Sequence, residues 1–539
     1  MPIAGHHPCH TLGMQISLCV IARDDAEHLA TLLEEMRDQV DEIVVVDTGS
    51  QDERTLEVAK QFGARTGRHE WQDSFAAARN ATLELATGDW ILTLDPDERF
   101  SEAVPGTMRR LVEAAPPPAE DGSHLLCICP LYRHAEDLAA GRSYVGFQPR
   151  LFPRHRLLRW VFPLYETPVL EAPGAELSFD SVANLAIVHL GHPHDEARRV
   201  AKRERNARIV AAALRETPNQ PFVHYMAGRE AFDRGDHAAA AAHFSRAAEL
   251  VGPRPPPYMA RAFLELVTAL RRCGEYDRAI ERGLEALQYF PQADLDCAVG
   301  LAYFLRGRPG DDEAALRHYR RARLLHTLGM PVWGDQEALT WKPLWGMAHV
   351  YQRLGQPAEA LACCEEALRY APQQVAIRQQ AAALLRQLGR PAEAAAHLRA
   401  AAATLDSAVP GSTELQELNL AIASCLIEAG QLQEAYDHLA PLAASPTAPE
   451  PYRLKLADLL ISAGHYAAAV ETLAGALDGD TPASGAVYQR LGEALMHLQR
   501  YEDARNAFQL ALSVDPGNQA ARLGYDALSL QKGQPDAIS

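Results

Sequence analysis

The stretch Trp90-Ile-Leu-Thr-Leu-Asp95-Pro96-Asp97 is an apolar run that ends in two carboxylates one residue apart, with Glu98 directly behind them. An apolar run followed by Asp and Pro is typical of a buried strand and its end. A strand that ends in Asp-x-Asp brings hard oxygen ligands to the mouth of a cleft, and these suit Mg²⁺ or Mn²⁺ bound together with phosphate oxygens. Both carboxylates could instead lie at a solvated strand end. The surrounding sequence is needed to distinguish this from metal binding.

Strand and helix patterns alternate around this stretch. Strands are predicted over 15–22, 42–47, 64–68 and 90–95, and helices around 29–36, 52–62 and 74–86. Such alternation predicts an α/β domain with a parallel sheet built from right-handed crossovers. Ligands of open parallel sheets lie beyond the carboxyl ends of the strands. Because Asp24, Asp47 and Asp95 all fall at those ends, the sequence predicts a binding site there.

Several motifs in this region occur in the order known from one enzyme family. They resemble bacterial family 2 glycosyltransferases with the GT-A fold, a Rossmann-like mixed sheet, in the branch that also carries tetratricopeptide repeats. The resemblance covers roughly residues 14–214 and departs from the family at two places: Asp24-Asp25 replaces the usual Asn-Glu, and Tyr165-Glu166 replaces the usual His-Glu. The motifs are ISLCVIARDD, VDEIVVVDTGSQDERT, FAAARNATLELATGDWILTLDPDE, PRLFPRHR, LYE, IVHLGH and KRERN.

The resemblance implies a metal-dependent, inverting hexosyl transfer from a UDP-sugar to a protein, peptide or saccharide acceptor, with Mn²⁺ or Mg²⁺ as cofactor. It implies that Asp95, Asp97 and His189 form the metal site, in which Asp97 is the favoured direct ligand, Asp95 also faces the donor ribose, and His189 completes the site. Glu166 is then the general base. The residues implied in binding the nucleotide-sugar are Ala22, Asp24, Asp47, Thr48, Gly49, Arg79, Asp95 and Arg150.

Most of these residues also have a structural alternative. Asp47 can cap the turn that follows it, and Arg79, whose donors suit phosphate oxygens, can instead lie on a helix surface. His189 closes an apolar strand and can be a satisfied buried residue. Glu166 follows an aromatic-rich loop, where a partly desolvated carboxylate suits proton transfer, but it can also be an exposed loop residue.

A second pattern begins near residue 218, beyond which no strand pattern is found. The chain repeats with a period of roughly 34 residues, which is the tetratricopeptide period, and about eight units are followed by a closing helix over 519–530. We therefore predict a flexible tail over 1–13, the transferase domain over 14–217, an all-helical repeat solenoid over 218–532 and a second tail over 533–539. Small, aromatic and terminating positions of the last unit are Tyr488, Leu491, Gly492, Ala504, Phe508, Ala511 and Pro516.

The composition argues against one class of partner and indicates a cellular compartment. The net charge is −18 and no base-stacking module is present, which argues against nucleic-acid binding. Nine cysteines without framework spacing indicate a reducing compartment. Without a secretory signal or an apolar run of about 20 residues, we expect a cytoplasmic protein, with peripheral attachment to the inner membrane as an alternative.

The repeats offer a concave face for a partner protein or for the acceptor, and a homodimer is left open. The competing function is a repeat scaffold whose transferase domain is weakly active or inactive.

Overall fold

The computed structural model describes residues 14–101, 106–116, 124–134, 144–171, 176–191, 196–252, 255–328, 334–445, 448–477 and 483–531. The predicted tails lie outside these ranges. The chain forms two compact units, Met1–Gly346 and Met347–Ser539. The predicted domain boundary at residues 217 and 218 therefore lies inside the first unit, and as a boundary between sequence domains it stays a prediction.

The alternating strands and helices of the N-terminal region are present as predicted. The four strands are parallel, with β1 between β2 and β4 and with β3 beyond β2. The apolar runs of β1, β2 and β4 are buried on both faces of the sheet, as expected for strands covered by helices, whereas β3 is partly exposed. The bounds are β1 (Ile16–Ala22), α1 (Ala26–Met36), β2 (Glu42–Asp47), α2 (Arg54–Gln61), β3 (Arg65–Arg68), α3 (Phe75–Leu85) and β4 (Trp90–Thr93).

The sheet continues as a mixed sheet, in agreement with the predicted GT-A architecture. Its order is β12-β7-β6-β8-β4-β1-β2-β3, and β11 pairs with both β5 and β6. Because β8 runs antiparallel to β4, the residue before β8 lies beside the end of β4. The remaining elements of this region are β5 (Glu98–Phe100), α4 (Thr107–Ala114), β6 (His124–His134), β7 (Tyr144–Phe147), β8 (Leu151–Pro153), β9 (Leu158–Val161), β10 (Thr167–Leu170) and β11 (Glu176–His189).

One strand of the sheet comes from the helical part of the chain. The two-residue strand β12 (Gly334–Asp335) pairs antiparallel with β7, with Gly334 opposite Val145. The prediction that strands end before residue 218 was wrong at this position. Two residues are too short to give a period-2 pattern, so the sequence carries no signal for them.

The helical repeats are confirmed. Within the described ranges, one long helix is followed by eight helical hairpins and a closing helix, and α12 contains the division between the two units. The bounds are α5 (Glu196–Glu216), α6 (Pro221–Asp233), α7 (His237–Leu250), α8 (Tyr258–Arg272), α9 (Tyr276–Tyr289), α10 (Ala293–Arg306), α11 (Asp311–Thr327), α12 (Trp341–Arg353), α13 (Pro357–Tyr370), α14 (Val375–Gln387), α15 (Pro391–Ala408), α16 (Thr413–Glu428), α17 (Leu432–Ala444), α18 (Glu450–Ser462), α19 (Tyr466–Leu477), α20 (Gly485–His497), α21 (Tyr501–Val514) and α22 (Gln519–Gln531).

Small residues allow the two helices of a hairpin to approach closely. A Cβ on Gly228 of α6 would lie 2.5 Å from Cε1 of Phe244 on α7, and one on Gly492 of α20 would lie 2.7 Å from Cε1 of Phe508 on α21. Both phenylalanines are almost fully buried. The glycines are therefore required for packing. Among the described helices, none combines the length and the apolar character that crossing a bilayer requires.

Candidate functional site

Arg79 holds two of the predicted site residues together. It lies on α3, whose first turn is capped by Ser74, and its side chain is directed at the end of β4. Nη2 donates to Oδ1 of Asp95 at 2.8 Å, and Nε donates to Oε1 of Glu166 at 2.6 Å. Arg79 is only 3% exposed, and its guanidinium carbon lies 5.3 Å from the ring centroid of Trp160. One buried guanidinium therefore fixes a carboxylate of the Asp-x-Asp motif next to the predicted base.

A second buried ion pair lies behind Asp95. Arg150 precedes β8, and its Nη2 donates to Oε1 of Glu98 at 2.5 Å, while Oε2 of Glu98 accepts the backbone N–H of Asp95 at 3.0 Å. The same Nη2 lies 4.0 Å from Oδ2 of Asp95, and the guanidinium lies over the ring of Tyr132. The sequence showed Glu98 behind the motif but not its pairing with Arg150. In this structure Arg150 stabilises the motif from inside, and its predicted contact with the nucleotide-sugar stays a prediction.

These ion pairs set the protonation of the motif. Burial alone would raise the pKa of Asp95, but Arg79 and Arg150 outweigh burial and hold the pKa below its usual range. Burial also raises the pKa of Glu98, and the charge of Arg150 offsets only part of that increase. For Arg79, burial would lower the pKa, but Asp95 and Glu166 outweigh it and raise the pKa. Asp95 and Arg79 therefore stay charged across the neutral range.

Asp97 and His189 form a second cluster on the same edge. β11 pairs with β5 so that His189 lies opposite Glu98, and the N–H of Leu190 donates to the carbonyl of Asp97 at 2.8 Å. Nε2 of His189 lies 3.2 Å from Oδ2 of Asp97. Burial alone would lower the pKa of His189, but the hydrogen bond and the charge of Asp97 raise it. No sequence pattern indicated His134, which lies on the neighbouring strand with its Nδ1 3.2 Å from Nδ1 of His189.

The Asp97 and His189 pair fits a divalent cation. An oxygen and a nitrogen that bind one Mg²⁺ ion at about 2.1 Å are separated by about 3 Å in octahedral geometry, close to the 3.2 Å found here. Mg²⁺ is commonly held by one or two protein groups, with substrate phosphates and water as the other ligands. In the described part of the chain, no three His, Cys, Asp or Glu side chains form a metal-binding group. Oδ1 of Asp95 accepts a hydrogen bond from Arg79 and is therefore already engaged. The role of Asp95 as a metal ligand stays a prediction.

The predicted nucleoside residues meet at the ends of β1 and β2. Asp47, the last residue of β2, lies opposite Ala22, and Oδ1 of Asp47 accepts the backbone N–H of Ser50 at 3.1 Å and its hydroxyl at 2.5 Å. The N–H of Thr48 donates to the carbonyl of Ala22 at 3.0 Å, and Gly49 has a φ of 101° that favours glycine. Asp47 therefore caps the turn in this structure. Nucleotide binding by this group of residues stays a prediction.

Asp24 joins the loops that follow β1 and β2. Its backbone N–H donates to Oγ of Ser50 at 2.9 Å, and its Oδ1 accepts the backbone N–H of Gln51 at 2.7 Å. Asp24 has a φ of 50°, which Asp tolerates better than most residues. The residue that replaces the usual Asn of the family is therefore bound to the turn after β2. The next residue, Asp25, accepts a hydrogen bond from Nδ1 of His28 at 2.8 Å when that nitrogen is protonated.

Comparison with known proteins supports a glycosyltransferase with repeats. Residues 17–124 match the family described as Glycosyl transferase family 2, and residues 225–294, 341–374 and 358–529 match tetratricopeptide repeat families. A TPR repeat-containing protein of Synechococcus elongatus is 31% identical over 302 residues, which are 54% of this chain and 72% of that protein.

The SPbeta prophage-derived glycosyltransferase SunS of Bacillus subtilis is 25% identical over 230 residues, which are 42% of this chain. The match spans about half of that relative, 51% of its length. Among solved structures, the type IV pilus biogenesis factor PilW has a TM-score of 0.32 at 19% identity, over 43% of this chain and 96% of its own. MamA has a TM-score of 0.29 at 16% identity, over 36% of this chain and 96% of its own. Neither structural likeness carries an argument about function.

Proposed function

Because the chain belongs to the tetratricopeptide-repeat proteins that carry a family 2 glycosyl transferase domain, we propose that it transfers a sugar from a UDP-sugar to a protein, peptide or saccharide acceptor with a divalent cation. The observation that carries the proposal is the pairing of Asp95 and Glu166 on Arg79, on the sheet edge where Asp97 meets His189. A carboxylate fixed beside a cation-compatible pair provides both functions that sugar transfer requires.

Asp97 and His189 are the residues that would hold Mn²⁺ or Mg²⁺. When bound, the ion supplies positive charge that offsets the negative charge developing on the diphosphate leaving group. Asp95 is kept anionic by its guanidinium partners and is available to orient the donor. Because Arg79 fixes Glu166 from one side, the position of the base is set before any substrate binds.

Glu166 is the general base of the proposed reaction. Within the described residues, Oε1 of Glu166 accepts the hydrogen bond from Arg79, so Oε2 is left to accept a proton. The side chain of Glu166 is 13% exposed. The acceptor hydroxyl oxygen attacks the anomeric carbon, the bond between that carbon and the phosphate oxygen breaks, and the electron pair leaves with UDP. The acceptor proton goes to Oε2 of Glu166. A single displacement of this kind inverts the anomeric carbon.

The repeats are proposed to recruit the acceptor or a protein partner through their concave face. Stacked helical hairpins form such surfaces, and tethering an acceptor raises its effective concentration at the transferase domain. We further propose that the reaction takes place in the cytoplasm. The cysteines of the chain lack the spacing of a disulfide framework, which indicates a reducing compartment.

Donor hydrolysis tests the proposal. The full chain is incubated with Mn²⁺ and a panel of UDP-sugars, and released UDP is measured. Calorimetric titration of UDP with and without Mn²⁺ is then repeated for Asp97→Asn and for Asp38→Asn, a matched control whose side chain is 80% exposed. We expect Asp97→Asn to lose the metal-dependent part of the UDP affinity and Asp38→Asn to keep it. No UDP release with any donor, together with no effect of Mn²⁺ on UDP affinity, contradicts the proposal and favours the repeat scaffold.

A further inference from the structure

The loop that carries Glu166 has a backbone that requires support from its surroundings. We call residues 162–166 the site loop. Phe162 has a φ of 70° and Tyr165 a φ of 55°, both in the left-handed region. Bulky residues rarely adopt this region, because it strains their backbone. The loop therefore keeps this conformation only because neighbouring elements hold it.

The apolar support comes from the helical part of the chain. The ring of Phe162 stacks on that of Phe222 with centroids 3.9 Å apart and planes 20° apart. Leu164 is 6% exposed and packs in one apolar cluster with Ile209 of α5 and with Met226 of α6. Phe222 and Met226 both belong to α6, the first helix of the repeats. The site loop thus shares a hydrophobic core with that helix.

The polar support is a buried network centred on Glu230 of α6. The hydroxyl of Tyr165 donates to Oε1 of Glu230 at 2.9 Å, and Nδ2 of Asn206 donates to the same oxygen at 3.0 Å. Glu230 is 5% exposed. The guanidinium of Arg229 lies 5.6 Å from the ring centroid of Tyr165, and its Nη1 donates to Glu265 of α8 at 2.6 Å. Because burial raises the pKa of Tyr165, its hydroxyl remains a donor.

We propose that Glu230 is a positioning residue for sugar transfer: it fixes Tyr165, and through the adjoining backbone it keeps the carboxylate of Glu166 against Arg79. The inference rests on the proposed function of Glu166 as the base. It also gives a physical reason why Tyr165 stands where the family usually has His: the phenol of Tyr165 is long enough to reach an acceptor on α6. The first repeat is then part of the catalytic unit as well as of the partner-binding arm.

Loss of the Tyr165 to Glu230 hydrogen bond allows the loop to relax, and a displacement of about 1 Å at a catalytic group can lower the rate by about 10²-fold. Tyr165→Phe removes the donor and keeps the ring, whereas Glu230→Met removes the acceptor. Glu230→Gln keeps an acceptor oxygen and serves as the conservative rescue. Glu249→Met, at a half-exposed position of α7 in the same hairpin, is the matched control.

The readouts are kcat and KM for donor hydrolysis and the affinity for UDP. We expect Tyr165→Phe and Glu230→Met to lower kcat by about 10-fold to 100-fold with KM and UDP affinity unchanged, because they act on the base and not on the donor. The double variant should be no slower than the slower single variant, because both substitutions remove the same hydrogen bond. Glu230→Gln and Glu249→Met should keep most of the wild-type kcat.

The outcomes separate this inference from the proposed function. Unchanged kcat in both Tyr165→Phe and Glu230→Met, while Glu166→Gln abolishes hydrolysis, overturns the positioning role alone. A raised KM with unchanged kcat also overturns it, because it assigns the network to donor binding. Absence of UDP release by the unaltered chain with every donor, together with no effect of Mn²⁺ on its UDP affinity, overturns the proposed function and this inference with it.

Discussion

Replacing Arg79 with lysine keeps a positive charge but removes the planar fork that binds two carboxylates at once. Nη2 and Nε of Arg79 donate to Asp95 and Glu166 in different directions, and a single ammonium nitrogen reaches only one of them. A hydrogen bond to a charged group contributes about 1.5–3 kcal/mol. Because Arg79 is 3% exposed, water does not replace the lost bond. We expect the free energy of unfolding of the sheet region to fall by about 2 kcal/mol.

The catalytic effect of Arg79→Lys distinguishes two roles. If Arg79 positions Glu166, kcat for donor hydrolysis falls by about 10²-fold while the donor KM stays within about twofold. If Arg79 instead binds the donor phosphates, KM rises and UDP affinity falls. Steady-state kinetics and UDP titration measure both quantities. Arg65→Lys is the control, since Arg65 is half exposed on β3.

A variant with wild-type kcat and a raised KM refutes the positioning role of Arg79. Equal loss of kcat in Arg65→Lys also refutes it, because the effect is then not specific to the buried site. The structural part is checked separately by hydrogen exchange over residues 160–170, which should become faster in Arg79→Lys.

Three further predictions concern stability. Burial raises the pKa of Asp294 from 3.8 to about 6, so the stability of α10 should fall by up to about 3 kcal/mol as pH rises from 3.8 to about 6. Native-state hydrogen exchange should show this fall in the wild type and not in Asp294→Asn, and equal slopes contradict it. Gly492→Ala places a methyl group 2.7 Å from Phe508, so overpacking should lower the free energy of unfolding of Met347–Ser539 by about 1–3 kcal/mol, and an unchanged free energy in denaturant unfolding contradicts this. A chain ending at Thr217 should exchange amides of the site loop faster than one ending at Arg353, and equal protection contradicts the support by α6.

The strands and the repeats were predictable because their signals are local. A buried apolar run such as 42–47, or a proline and small residue every 34 positions or so, is visible within one window of sequence. Strand ends followed from the same runs, which is why Asp47 and Asp95 fall at the carboxyl edge of the sheet as predicted.

The partners of the site residues were not predictable, because they lie far apart in the chain. Arg79 and Glu166 are separated by 87 positions, and no periodic pattern predicts which carboxylate a residue on a helix contacts. The turn cap at Asp47 was visible in the sequence as one alternative, and the hydrogen bond from Ser50 forms it, while nucleotide binding by Asp47 stays a prediction. The left-handed backbone of Tyr165 carries no sequence signal at all, since aromatic residues rarely adopt it.

The pairing of β12 with β7 has a consequence for the order in which the protein matures. β7 is the edge strand until Gly334 reaches Val145, and Gly334 is synthesised about 190 residues later. At roughly 5–20 residues per second, the ribosome needs about 10–40 seconds to make that segment. An uncovered edge strand is a template for pairing with other chains during this interval. The N-terminal sheet is therefore completed only after the first three helical hairpins have been translated.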